Sequence, residues 1–190
     1  MPKLWTDTVD SHRRAVRDAA LDAASELLAE RGPRGVTMSR VAEKAGIGRA
    51  TLYKYFPDVD AVVRAWHERE VAAHLAQLGM LRDAPGTPIE RLEAVLRAYA
   101  SLARRSHTGG EATGPLHADD HVVRGRHQVR DMVCDLLSAA RGEGDVREDV
   151  PVAELAAFCL HALGAAGPDA PEPVVQRLML LIMSALRVRR

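Results

Sequence analysis

Aromatic residues and cysteines are scarce in this sequence, and neither sign of charge is in excess. Of the 190 residues, seven are aromatic and two are cysteines, and the formal net charge is zero. A neutral chain has no general attraction for polyanions, so any binding to them must come from a local cluster. Cys134 and Cys159 lie far apart in apolar helical patterns, and we predict that both are buried thiols.

Long hydrophobic runs are absent as well. The most apolar segment, residues 178–186, has about half the length that a membrane-spanning helix needs. Residues 1–6 are not followed by a long apolar run of the kind found in a secretory signal. The sequence therefore predicts a cytoplasmic protein.

Catalytic motifs are also missing. The sequence has no nucleophile elbow, and its paired glycines Gly109 and Gly110 lie between predicted helices, without the strand that a dinucleotide site requires. We predict that the protein is not an enzyme and uses no cofactor. His117 and His121 share a predicted helical face near Asp120 and His127, but exposed histidines are common and no cysteine joins them, so we predict no metal site.

The segment 35–56, GVTMSRVAEKAGIGRATLYKYF, has the pattern of two short helices joined by a glycine turn. Thr37 is placed to cap the first helix by accepting from an amide two or three residues later. Gly46 stands where the chain must turn sharply, a position that favours a residue with positive φ. The second helix begins near Gly48 and directs Leu52 inward, which leaves its polar side chains on exposed faces, as in a helix that enters a major groove.

A local basic cluster coincides with this segment. Between Arg34 and Lys54 there are five basic residues and one acid, Glu43. Three of the seven aromatic residues, Tyr53, Tyr55 and Phe56, lie at the end of the segment 35–56. Neutralisation of phosphates by such a cluster makes binding fall steeply with salt.

This segment and the helix before it resemble the DNA-binding domain of the TetR/AcrR family of bacterial repressors. The resemblance rests on the following residues: Ala23, Ala24, Leu27, Leu28, Gly32, Thr37, Val41, Ala42, Ala45, Gly46, Thr51, Leu52, Tyr53 and Phe56. It implies an all-helical dimer that binds a short two-fold symmetric operator and releases it when a small molecule enters the C-terminal domain. At two positions the chain departs from the family pattern: Gly48 replaces a serine cap and Val59 replaces a lysine, so we transfer no phosphate contact to residue 59.

Nine residues are candidates for DNA contact. Arg49 is suited to reading base edges, since arginine pairs bidentately with guanine, and Lys54 to phosphate. Tyr53 and Tyr55 are either phosphate contacts or ordinary core aromatics with solvated hydroxyls. The full set is Thr37, Arg40, Lys44, Arg49, Ala50, Thr51, Tyr53, Lys54 and Tyr55. Within this set, we expect Arg40 and Lys44 to contact either phosphate or only water. Thr51 is assigned as a DNA contact through the resemblance, and the alternative is an ordinary helical threonine whose hydroxyl is hydrogen-bonded within the protein.

Apolar periodicity predicts an all-α protein with a helix-turn-helix domain at residues 1–57 and a helical ligand-binding and dimerisation domain at residues 58–190. Residues 1–9 are expected to form a loose arm and residues 107–118 a mobile loop. Thr87, Pro88 and Glu90 predict a helix opening with a capping box. Outside the segment 35–56, the predicted helices are 10–31, 58–82, 87–106, 119–141, 152–166 and 173–189.

The last two predicted helices are apolar on nearly every side. A single neighbouring helix cannot cover such a surface, and a second copy of the same pair forms a four-helix interface. The alternative is a fully intramolecular core. The predicted interface residues are Leu155, Phe158, Leu163, Val175, Leu178, Ile182 and Leu186.

An effector cavity is predicted between the helix at 58–82 and the helices that start near Thr87 and Asp119. Its candidate lining residues are Trp66, His74, Leu78, Tyr99, Leu102, Met132 and Val133, each of which is otherwise plain core. A mostly aliphatic lining favours a small apolar molecule.

Together these patterns predict a ligand-responsive repressor that binds a palindromic operator as a homodimer. One alternative is a DNA-binding regulator without small-molecule control, which a filled C-terminal core favours. The other is a helical enzyme or binding bundle, for which DNA binding would not depend on Arg49 and Tyr53.

Overall fold

The described part of the chain is built from helices. In the computed structural model, the backbone is described for residues 3–108, 120–167 and 170–187, and side chains are described from residue 10 to 104 and throughout the two later ranges. The α-helices are α1 (Lys3–Arg31), α2 (Met38–Lys44), α3 (Arg49–Tyr55), α4 (Val59–Arg82), α5 (Pro88–Thr108), α6 (Asp120–Gly142), α7 (Val152–Gly164) and α8 (Glu172–Leu186). The predicted all-α class is confirmed. No helix within the described ranges is long and apolar enough to cross a membrane.

The chain divides into two compact units. The first contains α1 to α3 and α4 as far as Glu70, and the second begins at Val71 and contains the rest of α4 with α5 to α8. The boundary predicted between residues 57 and 58 lies inside the first unit, because the beginning of α4 contributes to that unit. The functional division into domains remains a prediction.

The first unit has a core of small and medium side chains. Ala20 and Ala24 of α1 are fully buried, and small residues at such positions allow neighbouring helices to approach closely. Phe56 is the one buried aromatic of this cluster. The buried members are Ala20, Leu21, Ala23, Ala24, Leu27, Val36, Met38, Val41, Ala42, Leu52, Phe56, Val62 and Ala65.

The second unit has a larger aliphatic core, to which α5 to α8 all contribute. α6 packs against both α5 and α7, and Leu137 and Ala140 on it are fully buried. A backbone hydrogen bond ties the α6–α7 connection to the end of α8: the amide of Arg147 donates to the carbonyl of Leu186 (2.9 Å). The side chain of Arg141 donates to the carbonyl of Val150 (2.6 Å), which closes the same connection.

The capping box predicted at the start of α5 is confirmed, and the start of α4 is capped as well. The Thr87 amide donates to Glu90 Oε2 (2.9 Å) and the Glu90 amide donates to Thr87 Oγ1 (3.4 Å), which is a reciprocal capping box. At the start of α4, the Ala61 amide donates to Asp58 Oδ1 (2.7 Å).

The loose arm predicted for residues 1–9 is wrong from Lys3 onward, because α1 begins there. The physical reason is visible in the chain: residues 3–31 contain neither glycine nor proline, so nothing interrupts the helix. Residues 107 and 108 of the predicted mobile loop belong to α5, and the remainder of that loop lies outside the described residues.

Candidate nucleic-acid interface

α2 and α3 form a helix-turn-helix whose geometry follows from three local features. Thr37 is extended at the start of α2, and its side chain accepts a hydrogen bond from the Arg40 amide (3.3 Å). At the end of α2 the Ile47 amide donates to the Ala42 carbonyl (3.0 Å) and the Gly46 amide to the Glu43 carbonyl (3.2 Å). This is the Schellman arrangement, and the positive φ of Gly46 (67°) is the conformation that it requires.

α3 begins without a side-chain cap. Gly48 holds the N-cap position with φ −65° and ψ 139°, and no side chain accepts from the first amides of the helix. The carbonyl of Gly48 nevertheless accepts from the Thr51 amide (2.9 Å) and the Leu52 amide (3.0 Å). The helix start is therefore intact, although a serine there would add a hydrogen bond.

One face of α3 is buried and the opposite face is displayed. Leu52 is fully buried and Phe56, which follows the helix, is 2% exposed, so both anchor α3 to the first core. Tyr53 on the outer side is 48% exposed, a high value for a large aromatic side chain. Among the other predicted contacts on α3, Arg49, Ala50 and Lys54 are exposed and Thr51 and Tyr55 are half-buried.

The predicted contacts on α2 are engaged within the protein. Arg40 is exposed, but its Nη1 donates to the carbonyl of Gly35 (3.0 Å). Lys44 Nζ lies 2.8 Å from Glu26 Oε2 and 2.8 Å from Glu30 Oε1, both on α1. The hydrogen bonds that Lys44 donates to these two carboxylates raise the pKa of Lys44, and the one that Glu30 accepts lowers the pKa of Glu30.

Two contacts that hold α3 and α4 were not predicted. The guanidinium of Arg17 on α1 lies over the ring of Phe56, with Cζ 5.2 Å from the ring centroid. Arg69 Nη2 of α4 lies 2.8 Å from Asp22 Oδ1 of α1. Sequence patterns offer no signal for either contact, since each joins residues that are far apart along the chain.

The predicted dimer-interface residues divide into two groups. Most of them lie inside the second core, with exposures of 6% or less: Leu155, Leu163, Val175, Ile182 and Leu186. Side chains that are already covered within the protomer have almost no area to offer a partner, and the assignment of these residues to an interface stays a prediction. Phe158 is 45% exposed and Leu178 is half-buried. The apolar side chains that these helices do display include Leu180 (67%) and Leu181 (66%), which are not among the predicted interface residues.

The predicted ligand-lining residues do not all belong to one core. Trp66 packs against the core of the first unit. The others belong to the second unit, where Leu78, Leu102, Met132 and Val133 are buried and Tyr99 is partly buried against the same core. His74 is half-buried on α4.

Of the histidines weighed as metal ligands, His121 is buried and His127 is exposed on α6, while His117 lies outside the described residues. Within the described ranges, no group of three or more His, Cys, Asp or Glu side chains is arranged to hold a metal ion. Cys159 is buried, which raises the pKa of its thiol to about 12, and Cys134 is half-buried.

Comparisons with known families cover most of the chain. Residues 20–66 match the family described as bacterial regulatory proteins, tetR family. Residues 87–188 match the family described as transcriptional regulator SbtR-like, C-terminal domain. The first match contains the whole helix-turn-helix, and the second contains α5 to α8.

Individual proteins agree with these matches. The chain is 28% identical to an uncharacterised HTH-type transcriptional regulator of Mycobacterium tuberculosis strain H37Rv, over 86% of this chain and 98% of the relative. A TetR/AcrR transcriptional regulator from Thermobifida fusca has the same fold, with TM-score 0.76 at 21% identity over 92% of this chain and 98% of that one. The regulator FadR from Bacillus subtilis, solved in complex with stearoyl-CoA, has TM-score 0.64 at 16% identity over 89% and 98% of the two chains.

Proposed function

We propose that this chain, which belongs to the TetR family of bacterial regulatory proteins, is a transcriptional repressor that binds a two-fold symmetric operator as a homodimer and is released by a small effector. The observation that carries the proposal is the division of α3 into a buried face at Leu52 and a displayed face with Arg49, Tyr53 and Lys54. A helix anchored on one side and polar on the other is what major-groove recognition needs.

In the proposed complex, α3 is the recognition helix. Its exposed N-terminal residues Arg49 and Ala50 face base edges, where arginine reads guanine and the alanine methyl packs on thymine. Lys54 and the hydroxyl of Tyr53 contact phosphates, with Thr51 and Tyr55 at the edge of the contact. Thr37 caps the start of α2 and thereby supports the placement of α2 in the proposed complex.

The proposed dimer places two recognition helices in successive major grooves, about 34–36 Å apart on one face of the duplex. Its interface is formed by the outward side chains of α7 and α8, including Phe158, Leu180 and Leu181, which are too large and apolar to be left in water without cost. The half-buried Leu178 extends the same interface.

A direct test of the dimer is charge insertion on this face. We expect Leu180→Glu combined with Leu181→Glu to convert the dimer to a monomer in sedimentation at micromolar concentration, because two carboxylates cannot be desolvated there without partners. Met80→Glu is the matched control, since Met80 is a similarly exposed apolar residue (69%) on α4. Equal dissociation of both variants, or of neither, would contradict the assignment of the interface to α7 and α8.

Effector control is proposed as a population shift. A ligand that binds the C-terminal unit favours a conformation in which α4 moves the recognition helices off the operator spacing. The candidate lining residues are those of the second unit, Leu78, Tyr99, Leu102, Met132 and Val133, with His74, and their aliphatic character suits a largely apolar molecule. The stearoyl-CoA bound to the structurally similar FadR supports a ligand with an acyl chain.

Selection of bound fragments from random duplex DNA tests the DNA-binding proposal. A palindrome is expected, and Arg49→Ala and Tyr53→Ala should each weaken binding to it by about tenfold or more, at 1.4 kcal/mol per tenfold. Enrichment of no sequence at all would refute the proposal. Effector control is tested separately by titrating saturated and acyl-CoA ligands with and without operator, because linkage requires DNA to weaken ligand binding by the factor with which ligand weakens DNA binding.

A further inference from the structure

Three acidic residues of α1 form a single line along that helix. Asp22, Glu26 and Glu30 are spaced at i, i+4 and i+8, so their side chains share one face. We call these three residues the acidic stripe. All three are exposed, yet each is paired with a cation from another element of the first unit.

The partners of the acidic stripe belong to the elements on either side of the recognition helix. Glu26 and Glu30 both bind Lys44, the last residue of α2, and Asp22 binds Arg69 of α4. Each of these contacts is 2.8 Å long. The side chain of Lys44 is only 27% exposed, although its two partners are 63% and 51% exposed.

We infer that Lys44 is a positioning residue that anchors the end of α2 to the acidic stripe, and that it does not contact phosphate. The inference rests on the proposed DNA-binding function of α3. It replaces the sequence-based assignment of Lys44 as a DNA contact, which considered only its place in a basic segment.

The charges around Lys44 argue against a phosphate contact. An ammonium group has three N–H donors, and two of them are directed to carboxylates. The ammonium and its two carboxylates together carry a net charge of minus one, so this group offers an approaching phosphate no uncompensated cation. Breaking either pair to reach a phosphate exchanges one charge-assisted hydrogen bond for another, with no evident gain.

The place of Lys44 in the chain explains what the anchor does. It lies two residues before Gly46, whose positive φ turns the chain toward α3. A movement of the α2 end therefore passes directly into the turn and changes the angle at which α3 is presented. Displacements of about 1 Å in a binding constellation are sufficient to reduce its function strongly.

The test compares the effect of removing the cation with that of removing its partners. The variants are Lys44→Gln, the double variant Glu26→Gln with Glu30→Gln, and the control Glu43→Gln, which makes the same type of charge change on α2 itself. Affinity for the selected palindrome and for a random duplex is measured over a series of salt concentrations. The two explanations predict changes of opposite sign in the affinity of the double variant for the palindrome. If Lys44 contacts phosphate, neutral partners leave its ammonium group more available to the DNA, and binding becomes tighter. If Lys44 positions α2, neutral partners no longer hold it in place, and binding becomes weaker.

If Lys44 is a positioning residue, Lys44→Gln and the double variant each weaken palindrome binding by about threefold to tenfold. Lys44→Gln leaves random-duplex binding and the salt slope unchanged, and the double variant, which loses two negative charges, binds the random duplex equally or slightly more tightly. Glu43→Gln leaves palindrome binding equal or slightly tighter. The inference is overturned if the double variant binds as tightly as the wild type or more tightly. It is also overturned if Lys44→Gln lowers the salt slope by about 0.9, the value for one lost phosphate contact on B-DNA.

Two further outcomes, a loss of folded protein and a failure of the proposed function, can be distinguished from the results above. If the variants lose palindrome and random-duplex binding in equal proportion, the change is in the folded fraction and the inference is overturned, because positioning alters their ratio. Failure of the proposed function has another signature: the wild-type protein itself then prefers no palindrome.

Discussion

The two units of this protein bury their cores in different ways. In the first, the short helices α2 and α3 are placed by local devices, a threonine cap and a glycine with positive φ, and ion pairs tie α2 to α1. In the second, longer helices share a large aliphatic core and are closed by contacts between distant segments, such as Arg147 with Leu186. The difference teaches that the first unit is specified mainly by neighbours in the chain and the second mainly by packing.

The largest expected loss of stability comes from truncating a buried leucine, and the functional consequence should differ between the two cores. Leu52→Ala removes a fully buried side chain from the first core and should cost about 2–5 kcal/mol. Operator binding is expected to be lost while the dimer survives, because the proposed interface lies on α7 and α8. Leu137→Ala, an equally buried leucine in the second core, is the matched control and should destabilise by a similar amount while the folded protein still binds DNA.

Denaturant unfolding, sedimentation and operator binding measure the three quantities for both variants. If Leu52→Ala and Leu137→Ala both become monomeric and both stop binding DNA, the two units are not energetically distinct, and the proposed difference between them is refuted.

A smaller effect is expected from the backbone at two glycines. Gly46→Ala places a Cβ at φ 67°, which should cost about 1–2 kcal/mol even though no atom lies within 4 Å of the added carbon. Gly79→Ala, inside α4 and also with open space, should stabilise by about 0.5–1 kcal/mol. Thermal unfolding of the two variants should therefore shift in opposite directions. An unchanged or raised unfolding temperature for Gly46→Ala would show that the turn does not need its glycine.

The smallest effect concerns two threonine caps. Thr37 in the first unit has Arg40 at the third helical position, whereas Thr87 in the second has Glu90, whose carboxylate accepts from the Thr87 amide. That backbone hydrogen bond lowers the pKa of Glu90 from its ordinary value of 4.5. The stabilisation is therefore complete above about pH 4.5 and is lost as pH falls through the lower pKa of the folded state.

We expect the stability difference between the wild type and Glu90→Gln to be constant from neutral pH to about pH 5 and to shrink at lower pH. Thr37→Ala, by contrast, should cost the same at every pH in this range, about 0.5–2 kcal/mol. Chemical denaturation at a series of pH values measures both. If the stability difference between the wild type and Glu90→Gln does not change at low pH, the capping box is not its cause.

Local signals predicted the helix-turn-helix closely. Thr37 and Gly46 act within a few residues of their own positions, so their roles follow from the sequence alone, and the inward direction of Leu52 follows from helical periodicity. Lys44 illustrates the limit: it lies in a segment rich in basic residues, which suggests phosphate, but its contacts are carboxylates on α1 that lie 14 and 18 positions earlier.

The last two helices illustrate the same limit on a larger scale. α7 and α8 are apolar on most faces, so periodicity could not separate Leu155, which is buried, from Leu180 and Leu181, which are displayed. The choice depends on where α5 and α6 pack. Similarly, Trp66 was grouped with a C-terminal ligand site, although it packs on the first core.

The sequence by itself determined the all-helical class, the capped and glycine-terminated α2, and the family to which the chain belongs, because these depend on short-range hydrogen bonds, backbone conformations and residue patterns. Only the tertiary structure decided which apolar faces are covered and which cations are already paired. Burial and ion pairing depend on distances between residues remote in the chain, and those distances exist only once the helices have packed.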